Sequence, residues 1–394
     1  MPVCLRAVLT SLAFLLAFVA SAALAAPTLI PAPPQLAASS WILVDARSGA
    51  VLAEKDADLQ LPPASLTKMM TDYIVAAEVD SGRLGLDDMV PISEKAWRMG
   101  GSKMFVRVGE EVRLEDLLRG IVIQSGNDAS VAVAEFVAGS EDAFAEMMNQ
   151  QARMLGMNDS HFENATGMPA PEHRSTARDL SVLARRIIAD HPQHYAYYAE
   201  KEFTYGTDFQ TGEPITQRNR NDLLWLDQTV DGIKTGHTEE AGYCLVASAV
   251  RDGMRLISVV MGTGSESARA QESQTLLRYG FRFFETQQVY AGGEELERLR
   301  VWKGLVDDVA VGLEEDLVLT LPRGRYDDLE ARVELEPWPE APLPVGSPLG
   351  RLTLSLDGEV LHDAPLVTLL PVEEAGFFGR LWDAVRLFFT RLLA

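Results

Sequence analysis

Cysteine is almost absent from this chain, whose 394 residues include only Cys4 and Cys244. Two cysteines cannot build the disulfide framework that stabilises small extracellular domains. The sequence also lacks a paired CxxC motif and an HExxH motif, the ligand spacings typical of zinc sites. We therefore expect neither a metal nor another cofactor, and we expect Cys244, which lies in an apolar run, to be a buried small side chain.

Positive charge is also scarce. The chain has 35 Lys and Arg residues against 57 Asp and Glu residues, which gives a net charge of −22. A nucleic-acid-binding protein needs basic groups that neutralise phosphates. Nucleic acid is therefore not an expected partner, and the acidic surface is read as a source of solubility.

Long hydrophobic runs are equally rare, and the clearest is Leu12–Ala20, close to the N-terminus. Arg6 precedes this run and small residues follow it, which is typical of a secretory signal peptide. We expect residues 1–26 to be removed, with cleavage after Ala25 or Ala26. A retained anchor is the alternative, although the run is short for a membrane span. Export without an intramolecular disulfide indicates a bacterial envelope.

The remaining length suits two domains. In residues 36–286, short strands at both ends flank a helical middle, which predicts an α+β domain. Strands are expected at Trp41–Asp45, Ala50–Glu54, Cys244–Val250 and Arg255–Gly262, the last two joined by a hairpin turn at Asp252-Gly253. Helices are expected at Leu66–Glu78, Leu114–Gln124, Ala129–Val137, Glu141–Leu155, Thr176–Ala189 and about 266–284.

Residues 287–370 show a different pattern. Alternating apolar residues, such as Leu317-Leu319-Leu321 and Leu352-Leu354-Leu356, are separated by Gly, Pro and Asp. A third alternating segment runs from Leu329 to Leu335. This pattern predicts a small all-β sandwich. It holds no cluster of reactive residues, so we expect a structural spacer.

The last segment, 373–394, differs from both domains. On a helical projection its apolar residues cover one arc of roughly 160°, and Arg380, Asp383, Arg386 and Arg391 lie opposite. Leu387 is the one apolar residue on the polar side. Such a helix suits the plane of an anionic membrane surface, and docking on the β domain is the alternative. The apolar arc consists of Phe377, Phe378, Leu381, Trp382, Val385, Phe388, Phe389, Leu392 and Leu393.

The first motif that carries chemistry is Ser65-Leu66-Thr67-Lys68. On a helix, Ser65 and Lys68 lie on one face about one turn apart. A serine hydroxyl becomes a strong nucleophile when a base removes its proton, and a lysine whose pKa is lowered can serve as that base. An arginine could not, because it keeps its proton.

Two further motifs also carry polar side chains. The first follows an apolar helix, and the second begins a strand-like segment. In Ser125-Gly126-Asn127, the hydroxyl can relay a proton and the carboxamide can hold a substrate amide. In Lys234-Thr235-Gly236, an edge strand can pair with an extended peptide and the lysine supplies positive charge. The N–H of His237 could form an oxyanion hole with the N–H of Ser65.

Taken together, these motifs resemble the low-molecular-mass penicillin-binding proteins that act as D-Ala-D-Ala carboxypeptidases. The resemblance covers nearly the whole exported chain. It includes the β domain, the amphipathic tail and the loop Arg98–Phe105, which shows small differences. The segments that carry it are Pro62–Met70, Gln124–Ala129, Asn164–Gly167, Ser175–Asp179, Asp231–Thr238 and Gly280–Thr286.

The resemblance implies a penicillin-binding/β-lactamase-like transpeptidase domain, a β sandwich and a C-terminal amphipathic helix. It makes Ser65 the acyl-enzyme nucleophile, Lys68 its general base and Ser125 a proton-transfer group. Arg269 matches the arginine that receives the substrate's terminal carboxylate. The expected substrate is a peptidoglycan stem peptide, and β-lactams should acylate the same serine. The remaining substrate-binding residues are Asn127, Lys234, Thr235, Gly236 and His237.

These expectations place the protein in the periplasm, held peripherally on the inner membrane by its tail. A D,D-endopeptidase and a low-turnover peptidoglycan-binding shape protein remain alternatives. A class A β-lactamase is disfavoured because Phe162-Glu163-Asn164-Ala165 lacks the Glu-x-x-x-Asn spacing of a deacylating loop. The oligomeric state is left open.

Overall fold

The computed structural model describes residues 30–207 and 211–393, so the predicted signal segment lies outside the described residues. In the first domain a five-stranded antiparallel sheet has the order β2-β1-β9-β8-β7. The strands are β1 (Ser40–Asp45), β2 (Val51–Lys55), β3 (Met89–Pro91), β4 (Glu111–Arg113), β5 (Glu202–Thr207), β6 (Pro214–Arg218), β7 (Val230–Thr238), β8 (Gly242–Arg251) and β9 (Met254–Thr263).

Helices cover both faces of this sheet. One face packs on α1 and α6 through a core that includes Ile42, Met69 and Leu180. The other face packs on α9 through residues such as Leu43 and Leu277. The helices are α1 (Lys68–Asp80), α2 (Glu94–Arg98), α3 (Leu114–Arg119), α4 (Asn127–Ala138), α5 (Glu141–Leu155), α6 (Ala177–Asp190), α7 (Pro192–Tyr195), α8 (Leu223–Leu226) and α9 (Glu266–Phe283).

The strands β8 and β9 form the centre of the sheet and are buried on both faces. Asp252 and Gly253 join them with φ values of 50° and 81°, the left-handed conformations that a tight hairpin turn requires. The hairpin is therefore confirmed. Cys244 lies fully buried in β8, as expected for a small apolar side chain.

The predicted helix Leu114–Gln124 is not one regular helix. The α-helix ends at Arg119, and Gly120–Gln124 form a π-helical turn. Gly120 allows this turn to pack against a neighbouring loop, because a Cβ there would lie 2.3 Å from Met104 Sδ. Such wide turns are frequent at functional sites. Here the turn delivers Ser125, which takes up the left-handed conformation with φ 65°.

The start of α1 is also special. Ala64–Thr67 form a 3-10 turn that continues directly into α1, and Ala64 has a φ of 48°. Left-handed backbone is costly for a residue with a side chain and is found mainly where the surrounding structure enforces it. Gly167 packs against this turn with a φ of 82°, and a Cβ there would lie 1.8 Å from the Ala64 carbonyl oxygen.

The second domain is all β, as predicted. A five-stranded sheet has the order β11-β12-β16-β15-β14, and β10 pairs separately with β13. Leu317, Leu319 and Leu321 are buried, as are Leu352 and Leu354. The strands are β10 (Phe284–Tyr290), β11 (Glu297–Arg300), β12 (Asp308–Gly312), β13 (Leu317–Pro322), β14 (Glu330–Leu335), β15 (Pro348–Leu356) and β16 (Glu359–Thr368).

The strand β14 and the boundary between the domains differ in how they compare with the predictions. The alternation from Leu329 to Leu335 predicted a buried face, but β14, an edge strand, is exposed along most of its length. The residue at which the first domain ends stays a prediction, since α9 runs directly into β10.

The C-terminal helix α10 (Phe377–Leu393) docks on the β domain through its polar face. Asp383 accepts a hydrogen bond of 2.8 Å from the backbone N–H of Lys303, and Leu387 is buried. The apolar arc predicted from the sequence points away and is exposed, from Phe377 to Leu393. Within the described ranges, the structure has no helix long and apolar enough to cross a membrane.

The contact at Gly167 gives a prediction with a matched control. Gly167→Ala and Gly139→Ala both place a side chain at a φ near 80°, but Gly139 has open space around it. Gly139→Ala should lower the free energy of unfolding by about 1–2 kcal/mol, the cost of a left-handed alanine. Gly167→Ala should lose more, because it also forces the Ala64 carbonyl away. Thermal unfolding measures both variants, and equal losses would contradict the close contact.

Candidate active site

The three sequence motifs meet in one cleft of about 470 Å³. The cleft lies between the start of α1, the turn before α4 and the edge strand β7. It brings together every predicted site residue except the two buried lysines, which lie directly behind its surface. The lining residues are Ser65, Gly101, Ser102, Ser125, Asn127, Thr166, Gly167, Met168, Arg220, Thr235, Gly236, His237, Thr238, Tyr243, Glu266 and Arg269.

Ser65 is fixed by its neighbours in the 3-10 turn. Leu66 and Thr67 are both fully buried. Thr67 Oγ1 lies 2.7 Å from His173 Nε2, and His173 Nδ1 accepts a hydrogen bond from the backbone N–H of Glu163. Nε2 therefore carries the proton and donates to Thr67. Burial lowers the pKa of His173 to about 4, so this support is neutral at ordinary pH.

Lys68 lies one helical turn from Ser65 and is almost completely buried. Its Nζ contacts Ser65 Oγ at 3.0 Å, Asn127 Oδ1 at 2.7 Å and the carbonyl oxygen of Thr166 at 2.6 Å. Burial, followed by the charge of Arg220, lowers the pKa of Lys68 to about 7. A substantial fraction of the amine is then neutral near pH 7, as a base must be.

The Thr166 carbonyl is aimed at Lys68 by the turn Asn164–Gly167. Asn164 Oδ1 accepts hydrogen bonds from the N–H of Thr166 at 3.1 Å and from the N–H of Gly167 at 2.8 Å. Glu141 holds the turn from the other side by accepting a hydrogen bond from the N–H of Ala165. The turn thus supplies Lys68 with a fixed, neutral hydrogen-bond acceptor.

Ser125 and Lys234 are both buried polar groups of the three motifs. Ser125 Oγ has no hydrogen-bond partner among the described residues. Burial, and then the nearby charge of Lys68, lowers the pKa of Lys234. The charge of Lys68 therefore disfavours the charged form of Lys234. A buried hydroxyl without a hydrogen-bond partner costs free energy and calls for an explanation. A proton relay whose partner is supplied by the substrate is such an explanation.

Asn127 and Asp128 anchor the loop that forms one rim of the cleft. Asn127 Nδ2 donates to the Gly100 carbonyl at 2.7 Å. The Asp128 carboxylate accepts backbone N–H bonds from Met104 and Phe105, both at 2.8 Å. The sequence reasoning gave Asp128 no role. Its position directly after the Ser-Gly-Asn motif was the available signal.

The opposite wall is β7. The sequence placed Lys234-Thr235-Gly236 at the start of a strand, but the structure places the motif in the interior of β7, which begins at Val230. Tertiary pairing with β8 extends the strand in both directions. Gly236 permits a close approach, since a Cβ there would lie 3.0 Å from the Pro63 carbonyl. The exposed ring of His237 stacks on Tyr243, with centroids 4.0 Å apart.

Arg269 reaches the cleft from the first turns of α9, as expected. Its side chain is 5% exposed and pairs with Glu266 at 2.5 Å. It also donates to the carbonyl oxygens of Gly236 at 3.4 Å and Arg220 at 3.5 Å. Arg220 itself lines the cleft and was missed by the sequence reasoning. A polar run Arg-Asn-Arg-Asn at 218–221 was the only hint.

Metal chemistry has no donor set in the described part of the chain, which contains no group of three or more His, Cys, Asp or Glu residues able to hold an ion. The arrangement offers instead a serine beside a lysine of lowered pKa, a second hydroxyl and a cationic wall. These are the parts needed for acyl transfer through a covalent serine intermediate.

Comparison with known proteins agrees with this chemistry. Residues 28–265 match the peptidase S11 family, described as D-alanyl-D-alanine carboxypeptidase. Residues 284–374 match the C-terminal domain of penicillin-binding protein 5. Together the two matches cover the three motifs of the cleft and the β domain, while α9, which carries Glu266 and Arg269, lies between them.

Individual relatives cover nearly the whole chain. D-alanyl-D-alanine carboxypeptidase DacA of Escherichia coli is 44% identical over 370 residues, which are 92% of this chain and 90% of the relative. DacC of the same organism is 43% identical, covering 98% of this chain and 96% of the relative. The crystal structure of penicillin-binding protein 5 from Haemophilus influenzae is 40% identical, covers 87% of this chain and 100% of its own, and superposes with a TM-score of 0.82. The chain belongs to the serine-type D-alanyl-D-alanine carboxypeptidase family.

Proposed function

We propose that this chain removes the terminal D-Ala from peptidoglycan stem peptides through an acyl-enzyme on Ser65. One observation carries the proposal: the Lys68 amine lies 3.0 Å from Ser65 Oγ, and its pKa is lowered to about 7. Family membership supports the activity, and the geometry supports the assignment of roles.

In the acylation step, neutral Lys68 takes the proton of the Ser65 hydroxyl, and Oγ attacks the carbonyl carbon of the penultimate D-Ala. The N–H groups of Ser65 and His237 are assigned to the oxyanion of the tetrahedral intermediate. The C–N bond then breaks, and the amine of the leaving D-Ala takes a proton. We assign this transfer to Ser125, whose hydroxyl has no hydrogen-bond partner among the described residues. It gives its proton to the amine and takes up the proton held by Lys68, which leaves Lys68 neutral again.

Deacylation uses the same base, with water as the nucleophile. Water replaces the departed D-Ala, Lys68 removes a proton from it, and the hydroxide attacks the ester carbonyl. The Ser65 oxygen leaves and takes the proton from Lys68, which restores the free enzyme. A β-lactam follows the acylation step alone, because its leaving nitrogen stays attached to the acyl group. A structure of penicillin-binding protein D2 from Listeria monocytogenes bound to ampicillin, 30% identical over 63% of this chain with a TM-score of 0.57, supports this expectation.

Specificity for the end of a peptide is assigned to Arg269. Its guanidinium is nearly buried beside β7, against which an extended peptide can lie. A guanidinium binds a carboxylate with two parallel hydrogen bonds. Asn127 and the β7 backbone then hold the peptide amides, and Lys234, Thr235 and Gly236 form the wall behind them.

We also propose that the protein is exported to the periplasm and that α10 lies in the outer leaflet of the inner membrane. An amphipathic helix that packs on its own domain ordinarily buries its apolar face. Here α10 turns its polar face towards the β domain, where Leu387 is buried, and exposes five aromatic side chains. Because the apolar face of α10 is left uncovered by the β domain, it is available to bind the apolar interior of a bilayer surface.

The arginines of α10 pair with acidic residues of the chain. Arg380 pairs with Glu374 at 2.6 Å, Arg391 with Glu340 at 3.1 Å and Arg386 with Asp383 at 3.8 Å. Because each already has an acidic partner in the chain, the arginines are less available to anionic lipid. The Arg391–Glu340 pair also links α10 to the β domain, whereas Arg386 and Asp383 both lie within α10. Apolar burial then provides most of the proposed membrane affinity.

The base assignment predicts the behaviour of Lys68→Arg. This variant keeps a positive charge but cannot supply a neutral amine, so it should lose acylation by a β-lactam as completely as Lys68→Ala. In the unsubstituted protein, the acylation rate should rise with pH around 7 and level off above it, because the deprotonated amine is the active form. Intact-mass measurement of the penicillin adduct gives both results.

Ser65→Ala is the control for that experiment and should form no adduct at any pH. Substantial acylation of Lys68→Arg, or a rate that does not change with pH, would show that Lys68 acts through its charge rather than as a base.

The carboxylate assignment predicts that Arg269→Ala will impair hydrolysis of a stem pentapeptide far more than hydrolysis of its C-terminal amide. The expected loss in kcat/KM is about 1.5–3 kcal/mol, the value of one charged hydrogen-bonding contact. Release of D-Ala and of D-alaninamide is measured side by side. Equal losses on both substrates would assign Arg269 a structural role, and a shift in melting temperature would identify a folding defect.

The membrane proposal is tested by truncation after Val372, which should abolish flotation with vesicles while leaving hydrolysis of soluble peptide intact. A finer test compares adjacent residues: Phe389→Glu adds a charge to the exposed apolar face, and Thr390→Glu adds the same charge beside it on the polar side. Phe389→Glu should weaken binding much more strongly. Equal effects, or flotation of the truncated protein, would refute the anchor.

A further inference from the structure

Glu266 is the one carboxylate among the described residues that line the cleft. It is the first residue of α9, and its Oε1 lies 2.5 Å from Arg269 Nη2. The group that is assigned to the substrate's terminal carboxylate therefore already holds a carboxylate of the protein.

We propose that Glu266 occupies the carboxylate site of the free enzyme and must be displaced by the terminal carboxylate of the substrate. This inference rests on the proposed role of Arg269. It makes Glu266 a specificity-determining residue, which competes with substrate for the same guanidinium.

The two partners differ in their freedom to move. The Arg269 side chain is 5% exposed, whereas that of Glu266 is 60% exposed. Arg269 is also held by the carbonyls of Gly236 and Arg220 and lies over the ring of Tyr243. No second hydrogen bond to the Glu266 carboxylate occurs within the described residues. Glu266 can therefore turn into solvent while Arg269 stays in place.

Displacement also has a low cost for Glu266 itself. A carboxylate in the first turn of a helix is favoured by the positive end of the helix dipole. Once Glu266 has left Arg269, it remains hydrated and close to the N-terminus of α9. An incoming carboxylate repels Glu266 and takes over its partner, whereas a neutral peptide end gains nothing from doing so.

An ordinary helix-surface ion pair, three residues apart, is the competing explanation. It would affect stability slightly and would not distinguish between substrates. The proposal predicts a difference that depends on the substrate, so kinetics separate the two.

The experiment measures D-Ala release from a stem pentapeptide and D-alaninamide release from its C-terminal amide. Glu266→Gln should lower KM for the free acid by about two- to fivefold, the range expected for an exposed ion pair. KM for the amide should stay the same. Glu272→Gln is the matched control, since it removes the same charge from the same helix at a residue whose carboxylate binds the N–H of Ala38 outside the cleft.

A double-mutant cycle with Arg269→Ala completes the test. If Glu266 acts through Arg269, Glu266→Gln should have no effect on KM in the Arg269→Ala background. The same KM decrease in both backgrounds would overturn the proposal, because Glu266 would then repel substrate as a general charge. An unchanged KM in the single variant would overturn it too.

These outcomes are separate from a failure of the proposed function. If Arg269→Ala discriminates between acid and amide but Glu266→Gln has no effect, the carboxylate site stands and only the competition fails. If Arg269→Ala does not discriminate, the carboxylate site fails and the role of Glu266 fails with it.

Discussion

The burial of the Lys68 amine is the constraint on which the rest of the active site depends. An isolated ammonium inside a protein costs several kcal/mol, and the cost falls when the group is neutral or hydrogen-bonded. In this structure the Lys68 amine is both hydrogen-bonded and partly neutral. Asn127 and the Thr166 carbonyl accept hydrogen bonds from Nζ, and the lowered pKa keeps part of the population neutral. The same burial that threatens stability gives the amine the neutral form that its proposed role as a base requires.

Satisfying this one group requires three distant parts of the chain to meet. The turn Asn164–Gly167 can approach α1 only because residue 167 is a glycine packed against Ala64. Asn127 is placed by the π-helical turn, which ends the preceding helix in the left-handed conformation at Ser125. The sheet then brings β7 against the 3-10 turn that carries Ser65. The site is therefore a product of tertiary packing, even though each motif is short and local.

The sequence was sufficient for the local features and insufficient for the tertiary ones. Spacing alone placed Lys68 beside Ser65, and turn chemistry located the hairpin at Asp252 and Gly253. Arg220 and Asp128 were missed because their roles depend on which loops they meet. The tail shows both outcomes: periodicity found the apolar arc, while Leu387, which broke the pattern, is the residue buried on the β domain. An exception to a pattern marked the true docking face.

The docking of α10 has a consequence for how the enzyme samples its surroundings. A helix joined by a flexible linker would leave the rest of the molecule free to tumble above a surface. Asp383 and Leu387 instead hold α10 on the β domain. Binding of α10 to a membrane surface would therefore restrict the rotation of the β domain as well as its translation. The cleft would then face a limited set of directions at a set height. Peptidoglycan strands would then be selected by their distance and orientation relative to the membrane, before the proposed recognition of a terminal carboxylate by Arg269.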